Sequence, residues 1–318
     1  MELGRSLVYK HKEPLDFAEK QLSIFWLPDE PKVENDVQDI LVNFSESEKH
    51  GVLTTLKLFS LYEDVAGNEY WGSRFKKIFK DDASFYRMAT AFSFFEINVH
   101  LPFYKKINEL LGLDTDEFYT SYVDDPVLKD RMNFVGSVVD SKNDLFSLAA
   151  FTFVEGAVLY TSFAYLKHFQ QNGKNKLMNI VRGINSSLKD ENVHALAGAW
   201  SFKFKKHQSK LSKTEESELK DIILQAAQNV YEHEEKIVEK IFEKGEISNI
   251  SAKDLKEFAK SRVNECLENL GYKKLYTVKN NPIGEWFYLA INSYSFTDNF
   301  TGLNNQYHRN WDEKAFTW

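Results

Sequence analysis

The chain has a single cysteine, Cys266, among its 318 residues. One thiol can form no internal disulfide, which predicts a protein of a reducing compartment, the cytoplasm. Chemistry that needs a pair of thiols is also excluded for this chain alone. Six prolines and 14 glycines are few for this length, and their scarcity favours long uninterrupted helices over a strand-rich fold.

The sequence also lacks an excess of basic charge and a glycine-rich phosphate loop, and we expect no signal peptide. Its 40 basic and 47 acidic side chains are interleaved and give a formal charge of −7, so no nucleic-acid partner is expected. The N-terminal residues carry charges and no apolar core. Without a phosphate loop, we do not expect this chain to bind nucleotides itself.

One apolar run, residues 145–166, is long enough to cross a bilayer. Its single charge, Glu155, lies near the centre, and no second apolar run follows it. A carboxylate at mid-membrane depth is costly. The run therefore predicts a buried central helix, and no membrane association is expected.

Helical periodicity dominates the rest of the chain. A hydroxyl stands three residues before a carboxylate at Ser45, Ser212 and Ser251, the pattern of a helix-capping box. Apolar residues then recur at helical spacing. The predicted helical segments are 46–79, 83–111, 126–140, 143–171, 174–208, 214–244 and 252–270. The only strand candidate is residues 275–278. We predict an all-α protein with a single domain over residues 1–295, including an N-terminal arm, and a flexible tail over 296–318.

Acids and histidines inside these apolar helices indicate the chemistry. Burying an unpaired carboxylate is costly, so such groups are paired or bind metal. Four carboxylates and two histidines on four helices could form a dinuclear site in a bundle core, and this donor set suits iron or manganese. The candidate ligands are Asp64, Glu96, His100, Glu155, Glu191 and His194.

Each motif taken alone has a simpler interpretation. Glu191 and His194 by themselves fit a solvated helix turn, and Glu155 fits a buried acid bonded to a neighbour. The combination on separate apolar helices favours a metal site. By contrast, residues 231–235 are surrounded by acids and lysines, which is typical of a solvated face.

The order Asp, Glu…His, Glu, Glu-x-x-His resembles the ferritin-like small subunits of class I ribonucleotide reductases. Further segments that resemble the family are residues 19–30 (EKQLSIFWLPDE), 64–69, 155–163, 189–194 and 281–286. The resemblance implies a ferritin-like helical bundle with additional helices and an irregular C-terminal tail. It implies the six ligands above, two metal ions per chain (iron, with manganese or a mixed pair as alternatives) and molecular oxygen as oxidant.

The resemblance also implies roles for four further residues. Tyr104 would hold a stable radical, Trp26 and Asp190 would form a relay with His100, and Tyr307 would be the radical tyrosine of the tail. The chain would be an oxidoreductase subunit, active only with the large subunit, which its C-terminus would contact. A homodimer in the cytoplasm of a bacterium or a virus-infected cell is expected, and Phe163 would line the radical pocket.

One spacing departs from the family pattern, because His100 follows Glu96 by four residues instead of three. We predict that a π-type turn between Glu96 and Pro102 absorbs the extra residue. The departure leaves open whether Tyr104 or Phe103 faces the metals. The metals' identity, the phosphorylation state of the substrate and a cellular or viral origin also remain open.

Two other protein classes could use the same ligands. A related diiron-carboxylate oxidase or desaturase is the alternative function, although it would need neither the Trp26–Asp190 pair nor Tyr307. A ferritin-like iron store would leave the tail without a role.

Overall fold

The computed structural model describes residues 6–288, all of them helical or irregular. The tail expected over 296–318, its boundary with the domain, and Tyr307 lie outside these residues. The helices are α1 (Lys12–Ser23), α2 (Glu46–Asp64), α3 (Phe75–Ile78), α4 (Ala83–Phe95), α5 (Leu101–Leu110), α6 (Asp116–Thr120), α7 (Pro126–Val139), α8 (Asp144–Phe153), α9 (Tyr160–Lys167), α10 (Met178–Ser209), α11 (Lys213–Ile241) and α12 (Ala252–Leu270).

The all-α prediction is confirmed, and its local signals act as expected. Ser45 and Ser212 each accept a hydrogen bond from the third residue of the following helix, and both capping boxes are complete. Ser251 caps α12 through the N–H of Asp254. Residues 275–278 form no strand. Between residues 6 and 288, an isolated bridge between Ile247 and Ile250 is the one β-type pairing.

Four segments wind as π-helices, and three of them interrupt the long helices of the bundle. These segments are Asp39–Asn43, Val65–Arg74, Glu96–His100 and Val154–Val158. The last three join α2 to α3, α4 to α5 and α8 towards α9. Single π turns inside α-helices are frequent at functional sites.

The apolar run forms the centre of the bundle. The helical stretch Asp144–Gly173 has the length and hydropathy of a membrane span, but 94% of its most apolar window is buried inside the protein. α10 and α11 pack along α8, while α12 packs on α8, α9 and α10. α1 lies across α4 and α10. The central run is thus a core helix enclosed by its neighbours, as the sequence predicts.

Candidate metal centre

Two groups of buried carboxylates and histidines meet between α2, α4, α8 and α10. The first consists of Glu63, Glu96, His100 and Glu191, and the second of Glu96, Glu155, Glu191 and His194. Within each group the ligand atoms lie within 4.8 Å of one another. Glu96 and Glu191 belong to both groups. Two carboxylates are therefore placed to bridge, and each group adds one carboxylate and one histidine of its own.

The distances around His100 are those of a shared cation site. Its Nδ1 lies 3.2 Å from Glu63 Oε2, 3.1 Å from Glu96 Oε2 and 3.1 Å from Glu191 Oε1. One ring nitrogen carries at most one proton, so it cannot donate fully to three carboxylates. A cation at the centre of these atoms would satisfy all of them.

The second histidine has a similar arrangement. His194 Nδ1 lies 2.7 Å from Glu96 Oε1, 3.4 Å from Glu191 Oε2 and 3.9 Å from Glu155 Oε2. The two oxygens of Glu96, and the two of Glu191, thus point to different histidines. This is the orientation required of carboxylates that bridge two ions.

Several polar atoms of the cluster are buried without a hydrogen bond. They are one oxygen of Glu63, one of Glu96, both of Glu191 and both ring nitrogens of His194. Buried polar atoms are normally paired, because leaving them unpaired costs free energy. Orphaned donors and acceptors that converge on one region fit a pair of cations bound by oxygen and imidazole.

Charge within the cluster leads to the same conclusion. Burial and the neighbouring Glu96 carboxylate raise the pKa of Glu63 well above its ordinary value. Burial and the Glu191 carboxylate do the same to the pKa of Glu155. Four buried glutamates cannot all ionise beside one another without compensation. Two divalent ions would supply it, and binding them would release protons.

The structure corrects the expectation for Asp64. Leu56, Phe59 and Glu63 share the buried face of α2, whereas Asp64 lies about 100° further around the helix. Asp64 is exposed, and its Oδ1 accepts a hydrogen bond from Asn68. The periodicity of the stripe that begins at Leu56 contained the signal, since Glu63 follows Leu56 by seven residues. Glu63 therefore takes the place in the cluster that was expected of Asp64.

Asp190 connects the cluster to the N-terminal segment. Its Oδ2 accepts hydrogen bonds from His100 Nε2 at 2.9 Å and Trp26 Nε1 at 2.8 Å. Its Oδ1 accepts one from Gln21 Nε2 at 2.8 Å. The structure thus brings together the three residues expected to form a relay. Sequence reasoning missed Gln21, although it lies in the same 19–30 segment as Trp26.

The π turn predicted from the Glu96–His100 spacing is confirmed, since these five residues form a π-helix that passes directly into α5. The extra residue is absorbed there, and both side chains point into the cluster. The prediction rested on the one-residue departure from the family spacing and on Pro102, which disfavours a regular α-helix at this point.

Tyr104 and Phe103 are both fully buried but face different neighbours. The Tyr104 hydroxyl lies 3.1 Å from Ser187 Oγ, and its ring packs on Phe59 with centroids 4.8 Å apart. The Phe103 ring lies against Gly183 and against Trp26. Burial and the charge of Glu63 raise the pKa of Tyr104 well above its ordinary value. Tyr104 thus keeps its hydroxyl proton, and the negative charge of the cluster contributes to this.

The ring of Phe59 lies between Phe163 and Tyr104. Its ring packs on Phe59 at a centroid distance of 5.5 Å, and Phe59 in turn packs on Tyr104. Another aromatic contact was not anticipated: Trp71 Nε1 donates to Glu155 Oε1 at 2.6 Å. Trp71 is fully buried in the π segment that follows α2. The sequence held no distinctive signal for it beyond its place after the first ligand helix.

Comparison with known families and relatives identifies the setting of this cluster. The family model for the ribonucleotide reductase small chain matches residues 6–282. A probable ribonucleoside-diphosphate reductase small subunit 048L of Invertebrate iridescent virus 3 is 25% identical over 308 residues, covering 89% of this chain and 78% of the relative. Ribonucleoside-diphosphate reductase 2 subunit beta of Escherichia coli is 24% identical over 301 residues, covering 92% and 89%.

Solved structures share the fold. The dimanganese(II)-NrdF of Streptococcus sanguinis superposes with a TM-score of 0.74 at 23% identity, covering 89% of this chain and 98% of that one. A putative class I ribonucleotide reductase from Bacillus halodurans gives a TM-score of 0.76 at 21% identity, covering 89% and 100%. The ferritin-like architecture expected from the sequence is thereby confirmed.

Proposed function

This chain belongs to the ribonucleotide reductase small-chain family, and we infer from that membership that it works as the radical-generating small subunit of a class I ribonucleoside-diphosphate reductase. It generates and stores a tyrosyl radical, which a large subunit uses to reduce ribonucleotides. The observation that carries the inference is the double cluster, with Glu96 and Glu191 shared between two histidines.

We assign the metal ligands as Glu63, Glu96, His100, Glu155, Glu191 and His194. Oxygen-rich donors with imidazole suit iron, with manganese or a mixed pair as alternatives. When bound, such a metal pair would allow molecular oxygen to oxidise a tyrosine to its radical. Four carboxylates offset the charge of two divalent ions, so the loaded centre would be stable in a buried site.

Asp190 fixes the form of His100. Because the Asp190 carboxylate can only accept, His100 Nε2 must carry the proton of their 2.9 Å hydrogen bond. The Nδ1 lone pair of a neutral His100 is then directed at the cluster, where it can bind a metal ion. In the absence of a cation, burial opposes protonation, but the carboxylates of Glu63 and Glu96 raise the pKa of His100 well above its ordinary value. A cation bound at Nδ1 would take the place of the proton that Nδ1 carries in the charged ring.

We propose Tyr104 as the radical residue. It follows His100 by four residues and is fully buried, so water is excluded from its ring. Its hydroxyl proton has a neighbour in the Ser187 hydroxyl. Phe103 lies beside Trp26 and has no proton to lose on oxidation.

We propose that the radical leaves by the contact chain His100–Asp190–Trp26 and reaches the large subunit through Tyr307 in the tail of residues 296–318. With its single cysteine the chain cannot supply the thiols of nucleotide reduction, so the partner must. Residues 1–295 would form one domain, and two copies would associate in the cytoplasm as the family resemblance implies. None of the relatives named above supports an oxidase or desaturase.

Tyr104→Phe tests this function. The reduced, metal-loaded wild-type chain should give a tyrosyl radical signal in electron spin resonance after exposure to air. Tyr104→Phe should keep its full metal content and lose that signal. Tyr70→Phe is the matched control, because Tyr70 is equally buried and its hydroxyl also lies in the interior. A signal that persists in Tyr104→Phe would refute the assignment.

A further inference from the structure

A buried arginine of α12 contacts the backbone beside Glu155. The Arg262 side chain is fully enclosed, with 2% of its surface exposed. Its Nε and Nη2 donate to the carbonyl oxygen of Gly156 at 2.9 and 2.7 Å. Gly156 directly follows Glu155 within the π-helical segment Val154–Val158. The guanidinium is therefore hydrogen-bonded to the turn that carries Glu155, a candidate metal ligand.

The rest of the Arg262 guanidinium is also held in place. Its Nη1 donates to Glu265 Oε2 and, at 2.9 Å, to the hydroxyl of Tyr288. Its Cζ lies over the Tyr160 ring, 3.8 Å from the ring centroid. A planar fork with two donors on one acceptor has a direction that a flexible ammonium lacks. Arg262 is thus a rigid support for the Gly156 carbonyl.

Gly156 lets two other helices close on the same turn. A Cβ at this position would lie 2.5 Å from Cys266 Sγ of α12 and 3.2 Å from Ala195 Cβ of α10. Ala195 follows the candidate ligand His194. The turn that carries Glu155 is therefore packed between the helix that supplies Arg262 and the helix that supplies the second histidine.

We infer that Arg262 is a positioning residue for Glu155: its two hydrogen bonds to the Gly156 carbonyl hold the π turn that directs the Glu155 carboxylate to the second ligand group. A π turn has one more residue per hydrogen-bonded ring than an α-helix, and side-chain donors that enter the helix ladder stabilise such distortions. If the segment relaxed to a regular helix, residues on one side would rotate by about 100° relative to the other. This inference rests on the proposed function, since it assumes that Glu155 binds metal.

The test is a manganese(II) titration of the full-length chain, in which electron spin resonance measures free manganese. The wild type should bind two ions. In Arg262→Gln the affinity for one of the two ions should fall by about 10- to 100-fold, the usual effect of losing a partner that orients a ligand. Arg262→Lys retains the charge and one donor group, and should be intermediate. Amide hydrogen exchange over residues 150–160 should quicken in the same order.

Glu265→Gln is the matched control. It removes a charge that pairs with Arg262 but leaves both bonds to Gly156, so manganese binding should match the wild type. An Arg262→Gln variant that binds both ions with wild-type affinity would overturn the positioning role. If that variant fails to fold, the Lys variant decides by the same criterion.

Glu155→Gln separates the two levels of inference. If Glu155→Gln lowers the affinity for one manganese ion while the Arg262 variants bind both ions with wild-type affinity, only the role of Arg262 is refuted. If Glu155→Gln itself binds both ions with wild-type affinity, the ligand assignment fails and the inference about Arg262 fails with it.

Discussion

The two histidines of the cluster differ in the helix that carries them and in their hydrogen-bond partners. His100 follows its glutamate by four residues in a π-helix, while His194 follows Glu191 by three residues in the regular helix α10. His100 Nε2 is hydrogen-bonded to Asp190, and through it to Trp26. The Nε2 of His194 has no hydrogen-bond partner among residues 6–288.

The surroundings of His194 are aromatic. Its ring lies 4.3 Å from that of Phe92 and 5.9 Å from that of Trp71, measured between centroids. One side of the centre is thus connected by polar contacts to the N-terminal segment, and the other is insulated by rings. The proposed relay would therefore leave the centre on the His100 side, and the rings would keep water from the His194 side.

The largest effect should come from breaking the polar connection. Trp26→Phe removes the indole donor to Asp190 while keeping an aromatic ring. Nucleotide reduction with the large subunit should fall more than about 100-fold, as expected when a residue required for a chemical step is lost, and metal content should stay at the wild-type level. Trp200→Phe is the control, because the Trp200 ring packs on the rings of Phe85 and Phe204 in the same bundle. Wild-type turnover in Trp26→Phe would contradict the relay.

The connected side was also the more predictable one. Trp26, Asp190 and His100 were expected together from segments that resemble the family, and their contacts follow that expectation. The π turn could be predicted because the Glu96–His100 spacing is one residue longer than the family pattern and Pro102 follows it. The relay was predicted from motifs in separate segments and the π turn from local spacing, and a sequence records both directly.

Other parts of the site depend on packing that a sequence records poorly. Asp64 and Glu63 are adjacent carboxylates, and only the phase of the apolar stripe separates the buried one from the exposed one. Arg262 lies more than a hundred positions from Gly156, and nothing in the pattern of α12 distinguishes it from an arginine at the surface. Trp71 was missed for the same reason.

The next test compares the two adjacent carboxylates, Glu63 and Asp64, and its expected effect is of intermediate size. Glu63→Ala should weaken one of the two manganese ions by about 10- to 100-fold, because His100 loses a neighbour in its ligand group. Asp64→Ala should leave both affinities unchanged, since Asp64 is exposed and its Oδ1 accepts a hydrogen bond from Asn68, away from the cluster. Equilibrium dialysis with metal analysis measures both variants. The opposite result, with metal lost only in Asp64→Ala, would restore the original assignment.

The smallest effect should come from Ser187→Ala, which acts on the environment of the radical residue alone. Tyr104 is buried with its hydroxyl 3.1 Å from Ser187 Oγ. Removing that partner should cost about 1 kcal/mol of unfolding free energy, the usual net contribution of one hydrogen bond. Metal binding should not change, because the hydrogen bond of the Ser187 hydroxyl within residues 6–288 is to Tyr104 and not to a member of the cluster.

The tyrosyl radical should still form in Ser187→Ala, but its high-field electron spin resonance spectrum should shift. A hydrogen bond to the phenoxyl oxygen alters the spin and charge distribution on that oxygen, and the variant lacks the donor. Ser186→Ala is the control, since Ser186 bonds to the carbonyl of Arg182 on the exposed side of α10. If the wild-type and Ser187→Ala spectra coincide while Tyr104 remains the radical site, Ser187 donates no hydrogen bond to the radical. The polar character of the His100 side would then end at Asp190 and would not extend to Tyr104.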